Sequence, residues 1–191
     1  MISMSEYFNQ LHTALQTIVP ADMEASLALL EHAYRQDQAI FVAGNGQSAT
    51  TADAFALDLT KQTVGNSTIR RFRVLSLSAN NAAVTAWAND TNYASIFVEQ
   101  LRSHFCEGDV LIVFSASGNS PNVVAAAQWI RNHKGYVIAL TGFQGGKLRE
   151  LADVCVHVDV ADYGHAETAH IAITHYWVDC FKQKLISIHT T

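Results

Sequence analysis

The chain is predicted to be an α/β protein, a five-stranded parallel sheet sandwiched between helices with two further helices ahead of it. Two observations predict this. From residue 39 onward, short apolar runs of strand composition alternate with stretches of helical periodicity, the order that builds a parallel sheet with helices on both faces. Two of those runs end in glycine- and serine-bearing turns, 44–48 and 115–120, that lead straight into a helix, as expected at the carboxyl edge of such a sheet. At 191 residues the chain is long enough for one domain with a substantial core. It divides into a helical pair over 1–37 and an α/β sandwich over 38–191.

Taken in order, Tyr7, Phe8, Leu11, Leu15 and Ile18 recur at helical spacing over 4–17, and the pattern resumes over 21–36 after Pro20. Both helices lie outside the strand and helix alternation, so they are expected to cap a sheet edge or pack against another copy of the chain. Strands are expected near 39–43, 73–77, 110–114, 136–140 and 154–159. Two helical stretches, 81–88 and 93–105, separate the second and third strands, and the turn 141–146 opens a short helix through Leu151. A last helix over about 166–187 carries Ile171, Ile173, Tyr176, Trp177, Phe181 and Leu185 around much of its circumference, the mark of a buried helix.

A hydrophobic fraction of 49% against 15% charged residues is high for a monomer and points to helical surface buried between subunits. The net charge of −5 speaks against nucleic acid, since the one basic clump, Arg70, Arg71 and Arg73, is too short for a footprint. Cys106, Cys155 and Cys180 form no CxxC pair, so neither a disulfide framework nor a thiolate zinc site is expected. The first residues lack a basic and apolar leader, and no apolar run reaches membrane-spanning length. A cytoplasmic protein that does not engage a membrane is expected.

The turn from Ser115 to Ser120 offers three hydroxyls, a glycine that admits close approach, and the N–H groups of the helix after Pro121. Together these make a phosphate cradle. Ser120 as a simple helix cap is the alternative. The second turn, Gly44-Asn-Gly-Gln-Ser48, would flank the same ligand; neither turn matches a GxGxxG or GxxxxGK[ST] nucleotide pattern, which favours a small phosphorylated ligand. Ala54, Asp58 and Lys61 share one helix face, so Asp58 either shuttles a proton at the ligand or sits on an ordinary solvated face. Glu167 and His175, eight residues apart, differ by a rise of about 12 Å. They meet at one ion or substrate only if the chain near Glu167 is not helical or if different subunits supply them. His165 is expected beside the site, behind the ligand-contacting residues.

The two turns, Leu140-Thr-Gly-Phe-Gln-Gly-Gly146 and the histidine-bearing last helix, in this order and spacing, resemble the sugar isomerase (SIS) domain family and, within it, the phosphoheptose isomerases. The resemblance implies a flavodoxin-like, Rossmann-like five-stranded sandwich that assembles as a homotetramer with sites at subunit interfaces. It implies phosphosugar binding by Asn45, Gly46, Ser48, Ser115, Ser117, Asn119 and Ser120, with Asp90, and isomerisation of a sedoheptulose 7-phosphate-like substrate through an enediol. Catalytic roles fall on His175, Glu167 and Asp58. The family's zinc ligands map to Ala54, Asp58, Glu167 and His175, so one is absent and two are altered; zinc binding would rest on Asp58, Glu167 and His175. A catalytically silent phosphosugar-binding or scaffold protein is the alternative the missing ligand suggests.

Overall fold

The structure is a computed structural model that describes residues 2–190, with side chains described to residue 185. Its elements follow the expected alternation: α1 (Met4–Gln16), α2 (Pro20–Arg35), β1 (Ala39–Gly44), α3 (Gln47–Lys61), β2 (Arg73–Ser76), α4 (Asn81–Asp90), a 3-10 turn (Tyr93–Ser95), α5 (Ile96–His104), β3 (Val110–Ser115), α6 (Pro121–Asn132), β4 (Tyr136–Thr141), α7 (Leu148–Leu151), β5 (Val154–His157) and α8 (Tyr163–Thr190). All five strands are parallel, in the order β2-β1-β3-β4-β5.

β1 and β3 are buried along their whole length, so alternate side chains feed two separate cores. Ile40, Val42, Ile112, Phe114, Ile138 and Leu140 face Leu30, Phe55, Leu59, Trp177 and Phe181 of α2, α3 and α8. Phe41, Leu111, Val113, Val137 and Ala139 face Phe97, Leu101, Val123 and Ile130 of α5 and α6. Each fully buried Phe or Leu stabilises the fold by about 1.5–3 kcal/mol relative to exposure. Phe55 packs between the rings of Phe114 and Trp177, at 6.3 and 5.6 Å, and Phe55→Ala would cost about 3–5 kcal/mol.

Two boundaries differ from the sequence reading for local reasons. The stretch 93–105 is not one helix: Asn92 Oδ1 accepts from the Ser95 N–H at 3.1 Å and holds a separate 3-10 turn ahead of α5. The last helix starts three residues early, at Tyr163. Asp162 accepts the His165 N–H at 2.8 Å and, through its carbonyl, the Ala166 N–H at 3.1 Å, so Gly164 falls inside the first turn. Of the N-terminal pair, α2 packs near β5 and α1 along α8, leaving Met4 and Phe8 exposed.

His170, on the core face of α8, is 1% exposed, and no well-formed hydrogen bond reaches either ring nitrogen. Burial pushes its pKa down to about 4, against a smaller opposing pull from the Thr141 backbone. Between the ordinary value of 6.5 and about 4, the unfolded chain takes up a proton that the folded chain refuses, so stability falls as the pH drops. The loss reaches roughly 3 kcal/mol at the acid end of that window. Denaturant unfolding between pH 7 and 4 should show this decline, and His170→Leu should flatten it.

Candidate functional site

β1 and β3 are neighbours in the sheet, yet the chain leaves β1 for one edge and returns to β3 to build the other. Connections therefore diverge above their carboxyl ends, and the crevice left there is where parallel sheets of this order bind ligands. Both serine-bearing turns sit in it. A cleft of about 170 Å³ is lined by Asn45 and Ser48 from the first turn, Ser115, Ser117 and Ser120 from the second, and Tyr163 and Glu167 from the start of α8. Residues of the opening turns of α3, α6 and α8 thus converge on one cleft, bringing three positive dipole ends toward it.

Local geometry keeps the hydroxyls available. Ser120 precedes α6 with no side-chain capping bond, so its hydroxyl is not consumed as a helix cap. Gly46 occupies the cap position of α3 at φ +54°, a conformation that glycine adopts without a steric penalty. Gly118, at φ +65°, lets the second turn lie against the 142–146 turn; a Cβ there would meet the Gly145 carbonyl oxygen at 1.9 Å. Asn119 serves this packing. Its Oδ1 accepts the Lys147 N–H at 3.1 Å and its Nδ2 donates to the Ser117 carbonyl at 3.1 Å, which ties the two turns together outside the cleft.

Among the described residues, no lysine or arginine lines the cleft, and Glu167 is the one ionisable acid in it. Burial, helped by nearby Asp162, raises the Glu167 carboxyl above its ordinary value, the direction expected of a group that exchanges a proton near neutrality. Tyr163, which packs against Phe143 at 4.7 Å, escaped the sequence reading because it was placed before the helix. Asp90 ends α4 on the surface, accepting from Asn89 Nδ2 at 2.9 Å, and does not line the cleft. His165 lies beneath Tyr7, with Nδ1 3.0 Å from Asp162 Oδ1, and faces the space between α1 and α8 instead.

Asp58 and His175 form a second cluster. His175 Nε2 is 3.9 Å from Asp58 Oδ2, while Asp58 Oδ1 accepts from Gln62 Nε2 at 2.6 Å. Glu167 is not with them. α8 is already helical at Glu167, which leaves a rise of about 12 Å to His175 along one helix and about 15 Å from Ser48 to Asp58 along α3. Asp58, Glu167 and His175 therefore do not converge within one protomer, contrary to what a single-chain zinc site would need. The Asp58–His175 spacing suits two donors to one cation, Ala54 adds none, and no group of three His, Cys, Asp or Glu side chains able to hold a metal occurs among the described residues. One chain falls short of the three or four protein ligands zinc takes.

A carboxylate beside an anion site repels the anion, and protonation removes the repulsion. Sulfate, which does not itself titrate above pH 3, should bind more tightly as the pH falls through the raised Glu167 value. Glu167→Gln should tighten sulfate about fivefold at neutral pH and flatten that dependence. Calorimetric titration at several pH values checks both.

Residues 6–142 match the family described as SIS domain. A phosphoheptose isomerase of Geobacter sp. is 32% identical over 175 residues, 91% of this chain and 89% of that protein. One from Mycobacterium tuberculosis is 37% identical over 142 residues, 74% and 71% of the two chains. In three dimensions, the phosphoheptose isomerase of Neisseria gonorrhoeae superposes with a TM-score of 0.86 at 29% identity, covering 94% of this chain and 96% of that one. With the sheet order, the serine cradle and these relatives in agreement, the chain belongs to the SIS domain family.

Proposed function

We propose that the protein is a phosphosugar isomerase that interconverts a ketose phosphate and an aldose phosphate, with sedoheptulose 7-phosphate as the substrate its relatives indicate. The observation that carries this reading is the cradle of serine hydroxyls and helix N-termini at the β1/β3 crevice. It suits a phosphate, and the relatives named phosphoheptose isomerase supply the sugar class.

Isomerisation moves a proton between C1 and C2. A base takes the proton from the carbon beside the carbonyl while an acid supplies one to the carbonyl oxygen, giving the enediol. Return of a proton to the neighbouring carbon and loss of one from the other oxygen complete the exchange. Asp58 and His175, a carboxylate and an imidazole 3.9 Å apart, are suited to these two roles, and Glu167 sits at the phosphate end as a third proton-exchanging group. Reacting atoms need contacts near 3–3.5 Å, and helix rise sets the pair away from its own cradle, as C1 and C2 lie at the far end of a heptose 7-phosphate from its phosphate. Leu57 and Tyr176, the immediate neighbours of Asp58 and His175, are exposed large apolar side chains, as is usual where another subunit packs. The reading is therefore an assembly, a homotetramer in this family's manner, in which the Asp58–His175 pair of one copy completes the cradle of another. A zinc ion in such an assembly would take Asp58 and His175 from one copy and Glu167 from the next, and when bound would polarise the substrate carbonyl. Among the described residues no helix is long and apolar enough to cross a membrane.

Proton exchange at C1 of sedoheptulose 7-phosphate in heavy water should proceed with the wild-type protein. It should fall at least about a hundredfold in His175→Ala. Sugar-phosphate binding without exchange, with zinc present or absent, would instead support the silent binding protein that Ala54 suggests. The shared site has its own check. Ser117→Ala/Ser120→Ala and His175→Ala, each inactive alone, should regain about a quarter of wild-type activity when unfolded together and refolded as mixed oligomers; no recovery would place both halves of the site on one chain.

A further inference from the structure

The first turn of the cradle is held by an amide pair that neither the phosphate nor the proton transfer has yet called on. Asn45 Nδ2 donates to Asn122 Oδ1 at 2.8 Å, and Asn122 Nδ2 donates to Asn45 Oδ1 at 2.7 Å. Asn122 is 1% exposed, and its Oδ1 also accepts the backbone N–H of Val123 at 3.0 Å. A backbone N–H only donates, so this contact fixes which end of the Asn122 amide is oxygen. The Asn122 NH₂ must then face Asn45, and the orientation of Asn45 follows from it.

Tyr93, in the 3-10 turn, completes the arrangement. Its hydroxyl donates to the same Asn45 Oδ1 at 2.9 Å, so both acceptor sites of that oxygen are filled. The one polar group that the Asn45 side chain has left is the second N–H of its amide, and Asn45 lines the cleft. The direction of this amide matters more here than in a cationic site. With no lysine or arginine lining the cleft and Glu167 already there, an anion is held by N–H and O–H dipoles alone. A flipped Asn45 would replace one attraction with a repulsion.

We infer that Tyr93 and Asn122 are positioning residues that lock the Asn45 amide with its N–H toward the cleft, where it donates to a phosphoryl oxygen of the ligand. This rests on the placement of the phosphate in the serine cradle. Tyr93 belongs to the β2–β3 connection and Asn122 to α6, so the lock makes the cradle sensitive to the β2–β3 connection, none of whose residues lines the cleft. It also makes the first turn selective for a hydrogen-bond acceptor, which favours a phosphoryl group over an ammonium at that point.

The test is the affinity of the full chain for inorganic phosphate in wild type, Tyr93→Phe, Asn45→Ala and the double variant. Tyr93 is an exposed side chain, and Tyr93→Phe removes one oxygen from it, so an unchanged melting temperature shows that the fold is kept. The lock predicts about a three- to fivefold loss of phosphate affinity for Tyr93→Phe, the effect of one hydrogen bond. In the Asn45→Ala background the same substitution should change the affinity by less than about 1.5-fold, because the residue it acts through is gone. Phosphate affinity that ignores Tyr93→Phe, or that falls by the same factor in both backgrounds, overturns the lock while leaving the cradle in place. Failure of the wild-type chain to bind phosphate overturns the cradle and the lock together.

Discussion

The reversal of strand order between β1 and β3 is the constraint on which the rest of the molecule depends. Because the chain leaves these neighbouring strands in opposite directions, a cleft opens at their carboxyl ends, and three helices begin around it. The backbone N–H groups at those beginnings have no partners within their helices. A cleft of serine hydroxyls and helix N-termini is the outcome, and it needs no cationic side chain to attract an anion. Close approach of the surrounding turns is what keeps it small. Gly44 has the carbonyl carbon and oxygen of Ser48 at 2.6 Å from where a Cβ would stand, and Gly118 is similarly pressed against Gly145. Side chains at either position would push a turn out of the crevice.

The serine cleft and the Asp58–His175 pair lie at different levels of the same two helices. Ser48 opens α3 and Glu167 lies in the opening turns of α8, while Asp58 and His175 come together further along both. α3 and α8 therefore run side by side in the same direction, with the serine cleft at one end and the Asp58–His175 pair further along. Their inner faces are committed to the core through Phe55, Leu59, Trp177 and Phe181, so neither helix can slide to bring its two ends together. The apolar side chains of Leu57 and Tyr176 stand exposed beside the pair, and the proposed second copy would cover them.

Much of this was legible in the residues. Strand and helix alternation predicted the sheet because each buried strand is a short, continuous apolar run, and the two turns announced themselves through glycine and serine at strand ends. Whether Ser120 caps α6 needed coordinates, since a cap and a ligand group have the same sequence; no side-chain capping bond forms there. Tyr93, Asn122 and Tyr163 went unseen for a different reason. Their relevance comes from tertiary contacts spanning 48 and 77 residues in the case of Asn45, and no local pattern marks such partners. Asn119 and Asp90 show the converse: the motif placed them at the ligand, whereas the fold turns Asn119 to the 145–147 turn and leaves Asp90 at the end of α4. The helical rise between Glu167 and His175 was calculable beforehand, and the early start of α8 at Tyr163 closed the one single-chain route around it.

The most direct measurement is a crystal structure of the assembled protein with sedoheptulose 7-phosphate bound, using His175→Ala to slow turnover. The account predicts the phosphate against Ser115, Ser117 and Ser120 of one copy, with the Asn45 N–H toward a phosphoryl oxygen. It predicts C1 and C2 of the sugar beside Asp58 and position 175 of a neighbouring copy. A phosphate bound elsewhere, or a sugar whose reacting carbons meet Asp58 of the chain that holds its phosphate, would contradict it.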